Sequence, residues 1–225
     1  MTKICVSGSE GKMGSRIIEL AKEDPGLEVA AGFDLDGNAE LGITACECLI
    51  DFTSPKATME HLALCEKLKK PMVIGTTGLS EEDKSKIKEA SSHIPIVLSA
   101  NMSTGVNLLF KLIEDASKVL GKEYEISILE AHHSEKKDSP SGTAKEMERI
   151  AKSIMGPDID VAISSVREGD IVGEHTIAFE SDVDLIEITH SAKTRDIFAK
   201  GALKAAKFVV GKKHGLFTMK EVLAI

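Results

Sequence analysis

The first hundred residues alternate between short apolar runs and amphipathic stretches of helical spacing, and that alternation most narrows the fold. Runs at 4–7, 27–33, 49–52, 72–74 and 94–98 have strand length. Strands that read as nearly continuous Val, Ile, Leu and Cys are buried on both faces, as in a parallel sheet covered by helices on each side. Helix starts carry their own signals. Ser54-Pro55 sets a capping side chain before a proline at the first helical position. Ser80 precedes Glu81, Glu82 and Asp83, whose charges suit a helix N-terminus. One connection is short: only 16 residues lie between Asp34 and Asp51. A trimmed connection over 35–48, with the sheet topology preserved, is therefore expected.

The second half has another rhythm. Val106, Leu109, Phe110, Ile113, Ala116 and Leu120 recur at helical spacing and predict a helix over 105–120. Alternation over 124–128 predicts a half-buried strand, followed by a helix near 142–155. Three more strands are expected at 161–166, 176–179 and 185–189, with little helix between them, and a final helix at 195–210. This is an α+β pattern with a mixed or antiparallel sheet.

Gly8-Ser9-Glu10-Gly11-Lys12-Met13-Gly14 lies where the first strand turns into the first helix. Small residues there let a backbone approach a pyrophosphate, with helix N–H groups facing the anion. Asp34 follows the second strand, 20 residues after Gly14, where a ribose-binding carboxylate belongs. The first part thus reads as a Rossmann-like dinucleotide-binding domain. A carboxylate accepts from both ribose hydroxyls and repels a 2′-phosphate, so NADH is favoured over NADPH. Lys12 is the residue through which some NADPH use would come, and Glu10 suits a pyrophosphate only with its side chain in solvent.

The densest polar segment runs from Glu130 to Ala144. His132 and His133 near Lys136 can supply a proton shuttle and a cation for a developing anion. Mutual repulsion of the two imidazoles favours their neutral forms. Ser141-Gly142-Thr143 opens a helix and presents N–H groups and hydroxyls to a carboxylate. On their own, these residues also fit a surface loop with a helix cap. No metal is expected, because no third ligand is local and Lys136 opposes a cation. His61, His93, His175, His190 and His214 read as structural.

Composition narrows the partners. Lys plus Arg total 28 against Asp plus Glu 36, a formal net charge of −8, and there is one Tyr (Tyr124) and no Trp. That argues against nucleic-acid or anionic-membrane binding, which rests on cationic contacts and stacking platforms. Cys5, Cys46, Cys48 and Cys65 form no C-x-x-C pair, so neither a disulfide framework nor a zinc knuckle is expected. No run approaches the roughly 20 apolar residues of a membrane span, and a cytoplasmic, reduced protein is expected.

Together these residues resemble the 4-hydroxy-tetrahydrodipicolinate reductase (dihydrodipicolinate reductase) family. The resemblance runs through the glycine loop with Met13, Asp51-Phe52-Thr53, Gly75-Thr76-Thr77-Gly78 and 100–107. It continues through Glu130-Ala131-His132-His133, Lys136, Asp138 and 140–144, then 166–176 and Gly215-Leu216-Phe217. It implies an oxidoreductase of diaminopimelate and lysine biosynthesis. Such an enzyme reduces a small cyclic dicarboxylate with NADH or NADPH and loses water overall. It implies His132 as the acid/base residue and Lys136 as the proton donor, with His133, Ser141, Gly142 and Thr143 binding substrate. Gly8, Ser9, Glu10, Gly11, Lys12, Met13, Asp34, Gly75, Thr76, Thr77, Ser99, Ala100, Asn101 and Met102 would line the cofactor. The implied domains are 1–103 with 194–225 for the dinucleotide, and 104–193 for substrate and oligomerisation. A homotetramer built through the second domain's sheet is implied, with the domains closing on substrate. The sequence departs from the family pattern at Glu10, at Leu35 (where some relatives carry an arginine) and at Ser134 and Glu135. Two rivals are a different nicotinamide-dependent dehydrogenase and a module that senses NADH without chemistry.

Overall fold

The computed structural model describes residues 1–35 and 37–225. The chain opens with β1 (Thr2–Ser7), α1 (Lys12–Lys22), β2 (Leu27–Phe33), α2 (Ala39–Ala45), β3 (Cys48–Asp51), α3 (Pro55–Leu68), β4 (Met72–Ile74), α4 (Glu81–Ala90) and β5 (Pro95–Leu98). It continues through α5 (Thr104–Leu120), a 3₁₀ turn at Gly121–Glu123, β6 (Glu125–His132), α6 (Gly142–Met155), β7 (Val161–Arg167), β8 (Glu174–Glu180) and β9 (Leu185–Ser191). It closes with α7 (Asp196–Val210), β10 (Gly215–Phe217) and α8 (Met219–Leu223). Two compact units result: Met1–Thr104 with Asp196–Ile225, and Gly105–Arg195.

In the first unit, six strands among the described residues pair in the order β10-β5-β4-β3-β1-β2, every neighbouring pair parallel. Successive side chains of a strand alternate between faces, and here both faces are buried. Ile4, Val6, Ile50, Val73 and Val97 meet α1, α7 and α8 on one side. Cys5, Leu49, Met72, Ile74 and Ile96 meet α2, α3 and α4 on the other. This is the Rossmann-like three-layer arrangement. The helix starts follow the sequence signals. Ser54 Oγ accepts from Ala57 N–H ahead of Pro55, and Ser80 and Asp83 form a reciprocal capping box.

The trimmed connection is present in its described residues, Asp36 lying outside them. α2 has only seven residues, capped by Asn38, yet β1 and β3 remain parallel neighbours. The C-terminal end holds two elements that the sequence patterns did not predict. β10 extends the sheet beside β5, and Met219 of α8 is buried in the core. Three and five residues respectively are too few to display a periodicity.

In the second unit the sheet order is β7-β6-β8-β9, with β6–β7 parallel and the other pairs antiparallel. One face is covered by α5 and α6. Leu109, Ile113, Met147, Ile150 and Met155 pack there on Ile126, Ile128, Ile177 and Phe179. The opposite face stays open, leaving Leu129 49% and Leu185 52% exposed.

Candidate active site

Parallel pairing puts the carboxyl ends of β1 to β5 along one edge of the first unit's sheet. Loops carrying Gly8–Met13, Asp34, Gly75–Thr77 and Ser99–Met102 all leave from that edge. The chain reverses direction across the sheet between β1 and β3, and such a switch point is where open α/β sheets bind ligands. Gly8 adopts φ +66°, a left-handed conformation that glycine takes without strain. A Cβ on Gly14 would lie 2.0 Å from Gly8 O, so the turn closes only on glycine. Asp34 Oδ2 accepts from Ser9 Oγ at 2.7 Å and from Glu10 N–H at 2.9 Å. Its Oδ1 has no partner among the described residues. Glu10, Gly11 and Lys12 are exposed and Met13 is half-buried. This loop fits a dinucleotide: bare backbone, a helix start, and a free carboxylate oxygen beside it.

Other residues of the cofactor set are used internally. Met102 is 1% exposed, with its side chain in the core and its carbonyl against Gly201 of α7, so this expected cofactor residue is turned inward and holds the loop from within. Ser99 Oγ donates to Asn101 O, and Asn101 Oδ1 accepts from Ser103 N–H, which fixes the loop after β5. Ala100 and Thr77 are exposed, and Gly75 is buried against the Phe52 ring. Thr76 Oγ1 donates to the buried Asp51. Asp51 also receives Thr53 N–H, Thr53 Oγ1, Thr58 Oγ1 and His61 Nδ1. Burial opposes its charge, but these donors outweigh burial and hold the carboxyl below its ordinary value.

The second unit gathers the residues expected to handle protons. β6 alternates, so Glu130 and His132 share the helix-covered face. His132 Nδ1 meets Glu130 Oε2 at 2.5 Å. Arg167 spans both Glu130 oxygens, with Nη1 to Oε2 at 3.0 Å and Nη2 to Oε1 at 2.7 Å. Ser141 N–H donates to Oε1 at 3.2 Å. Burial pushes Glu130 up, but Arg167, Ser165, His132 and Ser141 outweigh it and bring its pKa to about 2. His132 is lowered chiefly by burial, with Glu130 opposing that shift and Lys136 and Arg167 adding to it. Burial, and not the repulsion from His133 expected from adjacency, is the leading cause; His133 is the first residue beyond β6.

Lys136 Nζ pairs with Asp138 Oδ1 at 2.8 Å in the loop between β6 and α6. Ser141 caps α6, its Oγ accepting from Ala144 N–H and its carbonyl from Lys145 N–H. Gly142 is the first residue of the helix and faces open space, with Thr143 next to it. His133 lines a cavity of about 490 Å³ with Ser134, Glu135, Asp170, Val172 and Arg195.

A family model described as dihydrodipicolinate reductase, N-terminus, matches residues 2–102, and its C-terminal counterpart matches residues 105–223. The chain belongs to the dihydrodipicolinate reductase family. A 4-hydroxy-tetrahydrodipicolinate reductase of Citrifermentans bemidjiense is 38% identical over 266 aligned positions, covering all of both chains. Another, of Dechloromonas aromatica, is 40% identical over 264, covering all of this chain and 98% of the relative. These alignments run over more positions than the 225 residues of this chain. The dipicolinate-bound dihydrodipicolinate reductase of Paenisporosarcina sp. TG-14 shares the fold, with a TM-score of 0.85, 21% identity and 98% of each chain covered. As a member of this reductase family with a Rossmann-like unit, the chain is an oxidoreductase that uses a nicotinamide cofactor.

Several residues of this dihydrodipicolinate reductase chain escaped sequence reasoning. Glu130 was readable in principle, because a strand puts residues two apart on one face. His175, expected to be merely structural, stacks edge-on against His132 with ring centres 5.0 Å apart, and its Nε2 lies 3.1 Å from Ser141 Oγ. Arg167 and His175 reach the cluster only through strand register, opposite His132 and Glu130 respectively. Nothing local marks that.

Proposed function

We propose that the chain reduces (2S,4S)-4-hydroxy-2,3,4,5-tetrahydrodipicolinate to 2,3,4,5-tetrahydrodipicolinate, releasing water, in diaminopimelate and lysine biosynthesis. The observation that carries this reading is the convergence of His132, Lys136 and the α6 start on one rigid strand-loop-helix segment, in a chain of this family. When bound, the reduced nicotinamide supplies a hydride. Lys136 Nζ provides the proton that balances the electron pair gained by the substrate, and its charge draws in a dianion. His132 exchanges a proton at Nε2. The Gly142 N–H and Thr143 orient one substrate carboxylate, with Ser141 holding the turn and His133 beside it, so that substrate is fixed before reaction.

Gly8 to Met13 cradle the pyrophosphate, Asp34 Oδ1 accepts from the ribose, and 75–77 and 99–101 line the remainder through backbone groups, with Met102 anchoring that loop from the core. NADH is preferred because Asp34 repels a 2′-phosphate, and the fully exposed Leu35 offers it no cation. Residues 1–103 with 194–225 form the cofactor domain, and 104–193 the substrate and oligomerisation domain. The open sheet face with Leu129 and Leu185 supports a homotetramer assembled through that sheet. Among the described residues, no helix is long and apolar enough to cross a membrane, and the proposed location is the cytoplasm.

The test is direct. The condensation product of pyruvate and aspartate semialdehyde is mixed with protein and NADH, and absorbance at the nicotinamide band is followed. Loss that depends on both substrates is expected. Cofactor binding without oxidation would sink the assignment in favour of a sensing role.

A further inference from the structure

We propose that Glu130 is a positioning residue for this reaction: its carboxylate holds His132 as the Nδ1–H tautomer, leaves Nε2 as the proton-exchanging atom, and ties that imidazole to the first turn of α6. The inference rests on the reading of His132 as a proton-handling group.

Glu130 has no exposed side-chain surface, and both its oxygens are committed. Oε1 accepts from Arg167 and the Ser141 backbone, and Oε2 from Arg167 and His132. A carboxylate ionised throughout the physiological range can only accept, so His132 Nδ1 must donate. The opposite edge of the ring carries an independent sign. Gly173 faces it, and a Cβ there would lie 3.1 Å from His132 Nε2. Glycine at that position keeps the second nitrogen clear.

The charges around His132 make Glu130 decisive. Arg167 on β7 and Lys136 in the loop are positive. His175 on β8 is neutral, held down to about 4 mainly by burial. It faces His190 on β9 in turn. The other nearby acid, Asp138, is paired with Lys136. Glu130 is therefore the one negative group touching the ring among the described residues, and it counters the burial that disfavours a charged imidazole. Ligand atoms of Glu130, His132 and His175 lie within 4.8 Å of one another, close enough for a cation. Arg167 already spans the carboxylate, however, so the cluster serves a proton and not a metal.

Glu130→Gln keeps the shape and removes the charge. The imidazole ¹⁵N shifts of His132 should report Nδ1–H in the unmodified protein and a lost or mixed tautomer in the variant. Turnover should fall about 100-fold, the size of a positioned acid or base contribution. The His132 limb of the kcat–pH profile should move to lower pH, with KM for NADH unchanged. Because Glu130→Gln removes the ion-pair partner of Arg167, the double variant Glu130→Gln, Arg167→Met is measured beside it and should show the same tautomer loss. Glu130→Asp should recover part of the limb. Retention of the Nδ1–H signature and the pH limb in either folded Gln variant would overturn the proposal. His132→Asn separates the two readings. Full turnover in that variant would remove the role of His132 itself, whereas an inactive His132→Asn beside an unperturbed Glu130→Gln would remove only the role of Glu130.

Discussion

The Ser9 hydroxyl donates to Asp34 Oδ2 at 2.7 Å, so the acid that follows β2 is latched onto the glycine loop that follows β1. One carboxylate therefore shapes the loop with one oxygen and leaves the other for the proposed ribose contact. Asp34→Ala should raise KM for NADH about tenfold, the scale of a lost hydrogen bond to a charged group. KM for NADPH should rise less, or fall. Steady-state kinetics with both cofactors check this, and an unchanged NADH-to-NADPH ratio would contradict the role of Asp34. Ser9→Ala should give a smaller effect in the same direction.

The Lys136 and Thr143 positions should separate kinetically. Lys136→Ala removes the proposed proton donor and should lower kcat about 100-fold. Thr143→Ala loosens the carboxylate site and should chiefly raise KM for the dicarboxylate. Initial rates over a substrate series distinguish the two, and equal effects on both constants would merge their roles.

Acid sensitivity should begin near neutrality. His175 is held near 4, below its ordinary 6.5, mainly by burial. Between those values the unfolded chain binds a proton that the native state refuses. The stability from His175 is thus complete above about 6.5 and lost as pH falls towards 4. His132 and His190 shift in the same direction, and Glu130 adds a loss from 4.5 down to about 2. Urea unfolding at pH 7 and 5 should show a drop, of which about 2 kcal/mol comes from His175. His175→Gln should flatten that part of the profile, and an equally steep profile in the variant would exclude His175 as its source.

Helix α7 lies so close to the loop after β5 that a Cβ on Gly201 would sit 1.7 Å from Met102 O. Gly201→Ala must push them apart. It should cost about 3 kcal/mol, as overpacking does, and should weaken cofactor binding through the displaced loop. Thermal melts and NADH titration read the two effects.

Legibility in the sequence followed the length of each signal. β1 to β5 were readable because apolar runs, capping serines and Pro55 all mark boundaries locally. The glycine loop and Asp34 were readable because a turn and an acid at a fixed distance share one supersecondary unit. Thr76 and Met102 were readable as loop positions, but their side chains turn inward to Asp51 and the core. That depends on packing between elements. Arg167 and His175 lay beyond reach for a similar reason, since they join Glu130 only through the register of three strands, and Ser141 joins it through the fold of a loop.

Residues of α7 contribute Ala199, Ala202, Leu203, Ala205, Ala206 and Val209 to the same core as Ile4 and Val6 of β1. During synthesis α1 covers part of that sheet face early, but the cover is completed only when nearly the whole chain has emerged. The segment from Gly105 to Arg195 leaves the ribosome in the interval, with its own core already encoded. Domains fold as units during synthesis where they can, so the later-encoded unit is positioned to finish first. Until α7 emerges, the part of that apolar face beyond α1, around Ile50, Val73 and Val97, stays uncovered, and it is there that a chaperone would engage the growing chain.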